Sequence, residues 1–360
     1  MATHSRILLL YGGTWEEREV SIKSASNALD ALVALGYEVK PVRWDIDGWI
    51  PLAADEDLEA EGVGVSPREL INDLSRDGLG VVFNCLHGGP GEDGTVSGFL
   101  DICQVPYTGA GVHGSAICAD KVSFRQRVRG LGFDVATGAV VIGPVWAERR
   151  KEVLEKVEQE IELPVMVKAT DSGSSFGVYH CDSPNQLATH IDQLLKDRLV
   201  RKRRHEVLIE KFVEGREISV PCLGSRMGKL PQVLPPAEVI PLGGEPIWTV
   251  KGKKDGIVDV RIPAVLEEQE WVEIARKVRQ IHIELDLGSS SRTDLILTDE
   301  GPVFLECQTV PGMTLESLLP LCASAAGLDM ANLCNRKIDH AISVHLQRNQ
   351  APDGDPDVQL

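Results

Sequence analysis

The chain has 360 residues, of which 43% are hydrophobic and 34 are glycine, and its 37 basic and 54 acidic side chains give a formal charge of −17. That length is long for one core and predicts two or three α/β domains. The negative charge argues against general affinity for nucleic acid or anionic membrane, while leaving room for a local basic pocket. Eight cysteines (Cys85, Cys103, Cys118, Cys181, Cys222, Cys307, Cys322 and Cys334) are dispersed, with no C-x-x-C pair. They read as reduced thiols of a cytoplasmic protein, not as a disulfide frame or a zinc site.

The opening Met1–Arg6 leads into the apolar run Ile7–Leu10, too short for a signal peptide or a membrane span. That run ends at Gly12-Gly13 and is followed by a predicted helix over about 21–35 and a second strand at Glu38–Val42. Strand, glycine turn, helix and strand make a βαβ unit with a parallel sheet, which binds ligands at the carboxyl ends of its strands. Glu16 and Glu17 sit there, but they suit an acidic first helical turn. Glu19 is the more open ligand candidate, because Val20-Ser21-Ile22 follows it as if packed. Residues 51–66 read as a variable surface segment.

Val81–Leu86 is a buried strand that runs into His87-Gly88-Gly89-Pro90-Gly91-Glu92-Asp93-Gly94, a tight loop whose N–H groups can face a ligand. His87 is there either a ligand contact or a structural residue. Val105–Gly111 reads as a short edge strand and turn, and 115–130 as one helix that includes Asp120-Lys121. Val140–Ile142 opens a second domain, followed by an amphipathic helix over 148–162 with Val153, Leu154, Val157 and Ile161 on one face.

The strand Pro164–Lys168 leads into Ala169–Val178, a small, hydroxyl- and glycine-rich loop. It could close over phosphates like a hairpin lid, although Ser/Gly loops also serve as linkers. A helix over 187–200 ends in Arg201–Arg204, a basic cap that complements the helix dipole. Strands follow at 207–213 and 216–220, then an irregular, strand-rich stretch to 265. Helices are predicted over 267–285, 317–326 and 330–346, and the polar tail 349–360 reads as disordered.

Between the first two of those helices, Arg292–Leu297 and Val303–Leu305 flank the turn Asp299–Pro302 and read as a β-hairpin. If the strands pair, Asp294 and Glu306 are neighbours, and Glu306 and Gln308 share a face. Two carboxylates, an amide oxygen and the Arg292 guanidinium then lie together. Hard oxygen ligands of this kind suit Mg²⁺, although a solvated hairpin of alternating charge is an equally open reading.

Taken together, GGTWEEREVS, LHGGPGEDG, YTGAGVHGSA followed by DK, VKATDSGSSFGV, IEKFVEGREISV, RTDLIL and TVPGMTLESLLP stand in an order and spacing that resemble the D-alanine–D-alanine ligases of the ATP-grasp superfamily. The likeness runs from Tyr11 to about Pro320. It implies a three-domain α/β ATP-grasp fold: an N-terminal parallel-sheet substrate domain (1–115), a central domain with the lid loop (116–209) and a C-terminal domain with the metal site (210–348).

The activity it implies is ATP-dependent joining of two D-alanines through an acyl phosphate, for peptidoglycan precursors, in a homodimer. By position in the motifs, Lys121, Lys168 and Ser175 would meet ATP phosphates. Glu210 and Glu217 would hold adenine and ribose, with the Lys211, Phe212 and Val213 backbone at the base edge. Asp294, Glu306 and Gln308 match the metal ligands, normally for two Mg²⁺ with Mn²⁺ as a substitute. Glu19 matches the group holding the first substrate's ammonium, and Ser174 the lid serine linked to it through a tyrosine. Arg292 and the Gly312 N–H match the oxyanion donors. His87 lies at the substrate loop, and Ser317 and Leu318 at the second carboxylate.

This chain departs from the family at three places. Gln308 stands where the family has asparagine, one methylene longer at a metal with near-octahedral demands. No tyrosine occurs in 247–254, where Lys253 takes the lysine of a K-Y pair and Lys254 the tyrosine's place. Ser289–Ser291 carry serine where glycine is usual. These departures favour, as the alternative reading, a relative in a specialised pathway making another dipeptide, depsipeptide or amide. A nucleotide-binding protein that has lost its chemistry is a third reading.

Overall fold

The computed structural model describes residues 6–74, 80–173, 177–200, 204–225, 229–242 and 258–349. Its first sheet has strand order β3-β2-β1-β4, from β1 (Arg6–Gly12), β2 (Glu38–Asp45), β3 (Gly48–Pro51) and β4 (Val81–Asn84). β1 runs parallel to β2 and β4, and β3 turns back antiparallel. The unbroken apolar run of β1 follows from burial on both faces. Ile7, Leu9 and Tyr11 pack on one side with Ala28, Leu29 and Leu32 of α1 (Arg18–Ala34), while Leu8 and Leu10 pack on the other with Leu70, Ile71 and Leu74 of α2 (Pro67–Leu74). Segment 51–66 is not simply a surface loop: Leu52 and Leu58 are buried, and Leu58 O accepts hydrogen bonds from Tyr11 and Arg43.

α3 (Gly89–Glu92) and α4 (Thr95–Ile102) follow β4. The expected edge strand near 105–111 is reduced to a single bridge between Val82 and Tyr107. The helix expected over 115–130 is two helices, α5 (Val112–Ala119) and α6 (Lys121–Gly130), broken at Asp120. Asp120 is extended (φ −112°, ψ 109°), and its carboxylate caps α6 by accepting the Ser123 N–H at 2.7 Å. A capping aspartate ends one helix and starts another, and here it turns Lys121 inward.

The second sheet, β6-β9-β7-β8, is antiparallel throughout: β6 (Gly138–Ile142), β7 (Val165–Ala169), β8 (Val178–Cys181) and β9 (Glu206–Lys211). It packs against α7 (Gly143–Glu160), which is kinked at Arg149, and α8 (Pro184–Val200), through Val157, Ile161, Leu187 and Ile191.

The third sheet runs β13-β12-β10-β14-β15-β5, with β11 beside β10. Its strands are β5 (Asp134–Val135), β10 (Arg216–Leu223), β11 (Gln232–Val233), β12 (Ala237–Pro241), β13 (Val258–Arg261), β14 (Ser290–Thr298) and β15 (Gly301–Gln308). One face is covered by α6 and by α9 (Glu268–Glu284), through Phe124, Val128, Ile274, Val278 and Ile281. The chain closes with α10 (Leu318–Ala325) and α11 (Met330–Asn349), whose Leu333 and Ile338 return to the core of the first sheet.

Candidate active site

A cavity of about 540 Å³ lies between the second and third sheets, lined by Lys121, Lys168, Glu210, Glu217, Asp294 and Glu306 among others. Each cation reaches it from the end of an element. Lys168 is near the end of β7, and Lys121 is the first residue of α6. Lys168 Nζ lies 2.5 Å from Glu210 Oε2, and Arg125 Nη1 lies 2.6 Å from Glu210 Oε1. Glu210 is buried, and each of its oxygens faces a cation, so it anchors Lys168 from behind. Lys211, Phe212 and Val213 line the same cavity.

The expected hairpin forms, with Asp294 and Glu306 as Cα partners and a bulge just after them. Arg292 Nε and Nη2 donate to the two oxygens of Asp294 at 2.9 and 2.7 Å, and Ser219 Oγ donates to Oδ1 at 2.6 Å. Burial alone lowers the basicity of Arg292, but Asp294 raises it above its ordinary value. Lys121 Nζ bonds Glu306 at 2.9 Å and the Ser172 carbonyl at 2.6 Å. Its burial is likewise outweighed by Glu306, with further help from Glu210 and Glu17, so its pKa is raised.

Asp294 and Glu306 supply oxygen donors on the cavity wall, and Gln308, the Cα partner of Arg292, ends the strand two residues beyond Glu306. No group of three His, Cys, Asp or Glu side chains gathers as a metal site among the described residues. The set of two carboxylates and an amide matches a hard cation that keeps part of its water, so the residues fit Mg²⁺.

The N-terminal residues differ from the sequence expectation. Glu19 is exposed on α1 and does not face the cavity. Glu17, just before the helix, does the reaching: Cβ atoms built at Gly88 and Gly173 would lie 2.1 and 3.0 Å from Glu17 Oε2. Its carboxylate therefore sits between the loop after β4 and the loop after β7. Gly88 has φ +66° and no room for a side chain, so this approach requires glycine. Along a helix start, two positions are about 200° apart, so Glu17 and Glu19 cannot face the same way.

His87 is buried, with Nδ1 2.8 Å from Val310 O and Nε2 2.8 Å from Ser24 Oγ. Burial pushes its pKa down to about 4. Glu92 accepts the N–H groups of Gly88 (3.1 Å) and Val310 (3.0 Å), and burial together with the charge of Glu17 pushes it up to about 8. Gly312 lies against Ser317, whose Oγ accepts the Thr314 N–H at 3.2 Å. Ser317 precedes α10, and Leu318 is buried at its start.

Ser174, Ser175 and Lys253 lie outside the described residues. Glu17, expected to be part of an acidic helical turn, reaches the site instead, and Ser24, Glu92, Arg125 and Ser219 join it without having been singled out. Of these four only Glu92 carried a signal, through its place in the glycine loop.

The D-ala D-ala ligase N-terminus model matches residues 6–110, and the D-ala D-ala ligase C-terminus model matches 128–339. The D-alanine--D-alanine ligase of Bacillus cytotoxicus is 30% identical over 97% of this chain and 98% of that protein. That of Pseudothermotoga lettingae is 33% identical over 94% and 99%. Among solved structures, the D-alanine-D-alanine ligase of Coxiella burnetii superimposes with a TM-score of 0.76 at 24% identity, over 96% of each chain. The VanG D-Ala:D-Ser ligase of Enterococcus faecalis gives 0.77 at 23% identity, over 94% of this chain and all of that one. Both structures share the fold. With both halves of the family matched in order and the cavity between the second and third sheets, the chain belongs to the D-alanine–D-alanine ligase family, with the ATP-grasp fold.

Proposed function

We infer that this chain is an ATP-dependent, ADP-forming ligase that joins two D-alanines for peptidoglycan precursor synthesis. The observation that carries this reading is the gathering around one cavity of Lys121 and Lys168 with Arg292, Asp294 and Glu306, Lys121 bonding Glu306 directly. ATP use is in keeping with the D-alanine--D-alanine ligase of Bacillus anthracis, whose fold this chain shares and whose structure is complexed with ATP.

A carboxylate is a poor electrophile, so the first D-alanine attacks the γ-phosphorus of ATP and ADP leaves. The second D-alanine's amine then attacks the acyl carbon, loses a proton and expels phosphate. Lys121 and Lys168 neutralise the transferring phosphates, which is most of what phosphoryl transfer requires of a protein. The main chain of 211–213 takes the base edge, and Glu217 takes the ribose, Glu210 being committed to Lys168 and Arg125. Glu17, not Glu19, receives the first substrate's ammonium. Arg292 and the Gly312 N–H meet the oxyanion, and Ser317 and Leu318 the second carboxylate. Asp294, Glu306 and Gln308 would hold Mg²⁺, two ions on the family pattern, and its positive charge would screen the phosphates during transfer. The three sheets serve as three units, and the enzyme works as a cytoplasmic homodimer.

The test is phosphate release by purified protein with ATP, Mg²⁺ and D-alanine, with mass spectrometry of the product. D-alanyl-D-alanine as the main product supports the reading, and release of neither ADP nor phosphate sinks it. The alternative of a specialised pathway rests largely on residues 247–254, which lie outside the described residues. A panel of other amino acids and hydroxy acids in the same assay separates the two.

A further inference from the structure

Hydrogen bonds from the first sheet's unit converge on residues 310–313. His87 Nδ1 is 2.8 Å from Val310 O, and His87 Nε2 is 2.8 Å from Ser24 Oγ. Met313 N–H donates to Ser24 Oγ at 3.0 Å, and Val310 N–H donates to Glu92 Oε1 at 3.0 Å. Gly88 N–H donates to the second Glu92 oxygen at 3.1 Å.

The proton positions follow from these distances. A carbonyl oxygen only accepts, so His87 Nδ1 carries the hydrogen. Burial keeps the ring neutral at pH 7, so Nε2 is bare and accepts the Ser24 hydroxyl. Ser24 thus receives from Met313 and gives to His87. Both ring nitrogens are occupied by protein, which leaves His87 neither a substrate contact nor a base.

The same bonds account for the loop's N–H groups. Val310 and Met313 donate to Glu92 and Ser24, and Pro311 has none to give. Among the described residues, the Gly312 N–H donates to no acceptor. A Cβ at Gly312 would lie 2.6 Å from Ser317 Oγ, so glycine lets the backbone sit beside that hydroxyl without displacing it.

We propose that Ser24, His87 and Glu92 are positioning residues, which pin Val310 and Met313 on either side of Gly312 and so hold its N–H rigid for the oxyanion of the ligation step. This rests on the ligase reading above. An oxyanion donor is effective because it is fixed before charge develops. Loosening the loop should therefore slow turnover without weakening substrate binding.

The experiment compares Ser24→Ala and Glu92→Gln with Lys23→Ala, an exposed change on the same helix as Ser24. Two readouts are taken. In the first, kcat for D-alanine falls about 10- to 100-fold in both clamp variants, for loss or loosening of one donor. KM values for ATP and D-alanine stay within about threefold on the same grounds, and D-alanine-dependent isotope scrambling in labelled ATP, which reports acyl phosphate formation, persists. In the second, the free Ser24→Ala protein shows faster hydrogen exchange at the Val310 amide, whose own acceptor Glu92 is untouched. Lys23→Ala changes neither readout.

A raised KM for D-alanine with kcat intact would overturn the proposal and return His87 to substrate binding. Unchanged exchange at Val310 would overturn it as well. The exchange measurement needs no substrate, so it still decides the clamp where the wild type fails to use D-alanine; that failure counts against the ligase reading alone. Should Glu92→Gln fold poorly, Ser24→Ala carries both readouts.

Discussion

Asp294 and Glu306 are direct partners across β14 and β15, yet each carboxylate is held by a different cation: Asp294 by Arg292 on its own strand, Glu306 by Lys121 from the start of α6. The two pairs differ in burial, and their removal should differ accordingly. Arg292→Met leaves Asp294 buried beside Ser219 without its cation, and breaking such a pair costs about 3–5 kcal/mol. Lys121→Met leaves Glu306 nearer to solvent and should cost the fold much less, while ATP turnover drops by 100-fold or more, on the order of a lost preorganised charge. Urea unfolding of the two variants, set beside their kcat/KM for ATP, checks the contrast. Equal destabilisation by both would contradict it.

Glu17 and Glu19 separate the site from the helix face. The carboxylate of Glu17 lies against Gly88 and Gly173, whereas Glu19 is exposed. Glu17→Gln is expected to lower kcat/KM for D-alanine about 100-fold or more, since on the proposed reading it removes the charge opposing the first substrate's ammonium. Glu19→Gln should stay within about threefold, as exposed substitutions away from a site usually do. Steady-state kinetics at varied D-alanine suffice, and a larger loss at Glu19 would reverse the assignment.

These two residues also show where sequence reading stops. The hairpin that bears Asp294 and Glu306 was legible because alternation and a glycine-proline turn fix its register. The buried runs at Ile7–Tyr11, Val81–Leu86 and Val165–Lys168 were legible for the same kind of reason, an apolar stretch bounded by glycine or a turn. The direction of Glu17 was not, because three glutamates in four positions carry no period, and the deciding contact comes from glycines 71 and 156 residues away. The break at Asp120 was hidden too: its flanks both favour helix, and the capping bond to Ser123 competes with them locally. Arg125 gave no sign of its role, since a charged side chain on a helix is ordinarily solvated. Only the fold brings Glu210 against it.

Stability should peak near pH 6.5. His87 and His282 both have pKa values pushed down to about 4 by burial, so the unfolded chain takes up protons first as pH falls. Their contribution is present above about 6.5 and is lost between 6.5 and 4. Glu92 runs the other way. Its pKa is raised to about 8 by burial and by Glu17, so the folded chain holds that proton longer, and its contribution is lost as pH rises from about 4.5 through 8. Two histidines outweigh one carboxyl on the acid side, and above 6.5 the carboxyl lowers stability, at about 1.4 kcal/mol per pH unit at most for one proton. Urea midpoints across pH 4.5–8.5 measure this, and Glu92→Gln should flatten the alkaline limb. A limb that is unchanged in the variant would show that Glu92 is ionised throughout.

Lys337 is a buried amine that the proposed chemistry does not use. It sits on α11 at 1% exposure, its amine 5.0 Å from the Phe83 ring centre and 3.9 Å from Met313 Sδ. No carboxylate forms an ion pair with it among the described residues, and burial lowers its pKa, with Cys85 and Cys334 opposing this more weakly. The attraction of a ring face for a desolvated cation is about 2 kcal/mol, less than the several kcal/mol by which burying an unpaired ion is unfavourable. Lys337→Met, which keeps most of the length and the contact with Phe83, should therefore stabilise the fold by about 1–3 kcal/mol at pH 7. The sign has a pH signature. The unfolded lysine keeps its proton to about 10.4 while the folded one releases it earlier, so wild-type stability gains from this group as pH rises toward that value. The advantage of Lys337→Met should then shrink between pH 7 and 10, read as converging urea midpoints. A variant that is less stable at every pH would mean that the amine's contacts with Phe83 and Met313 outweigh its desolvation, and that the first sheet's core needs the charge it encloses.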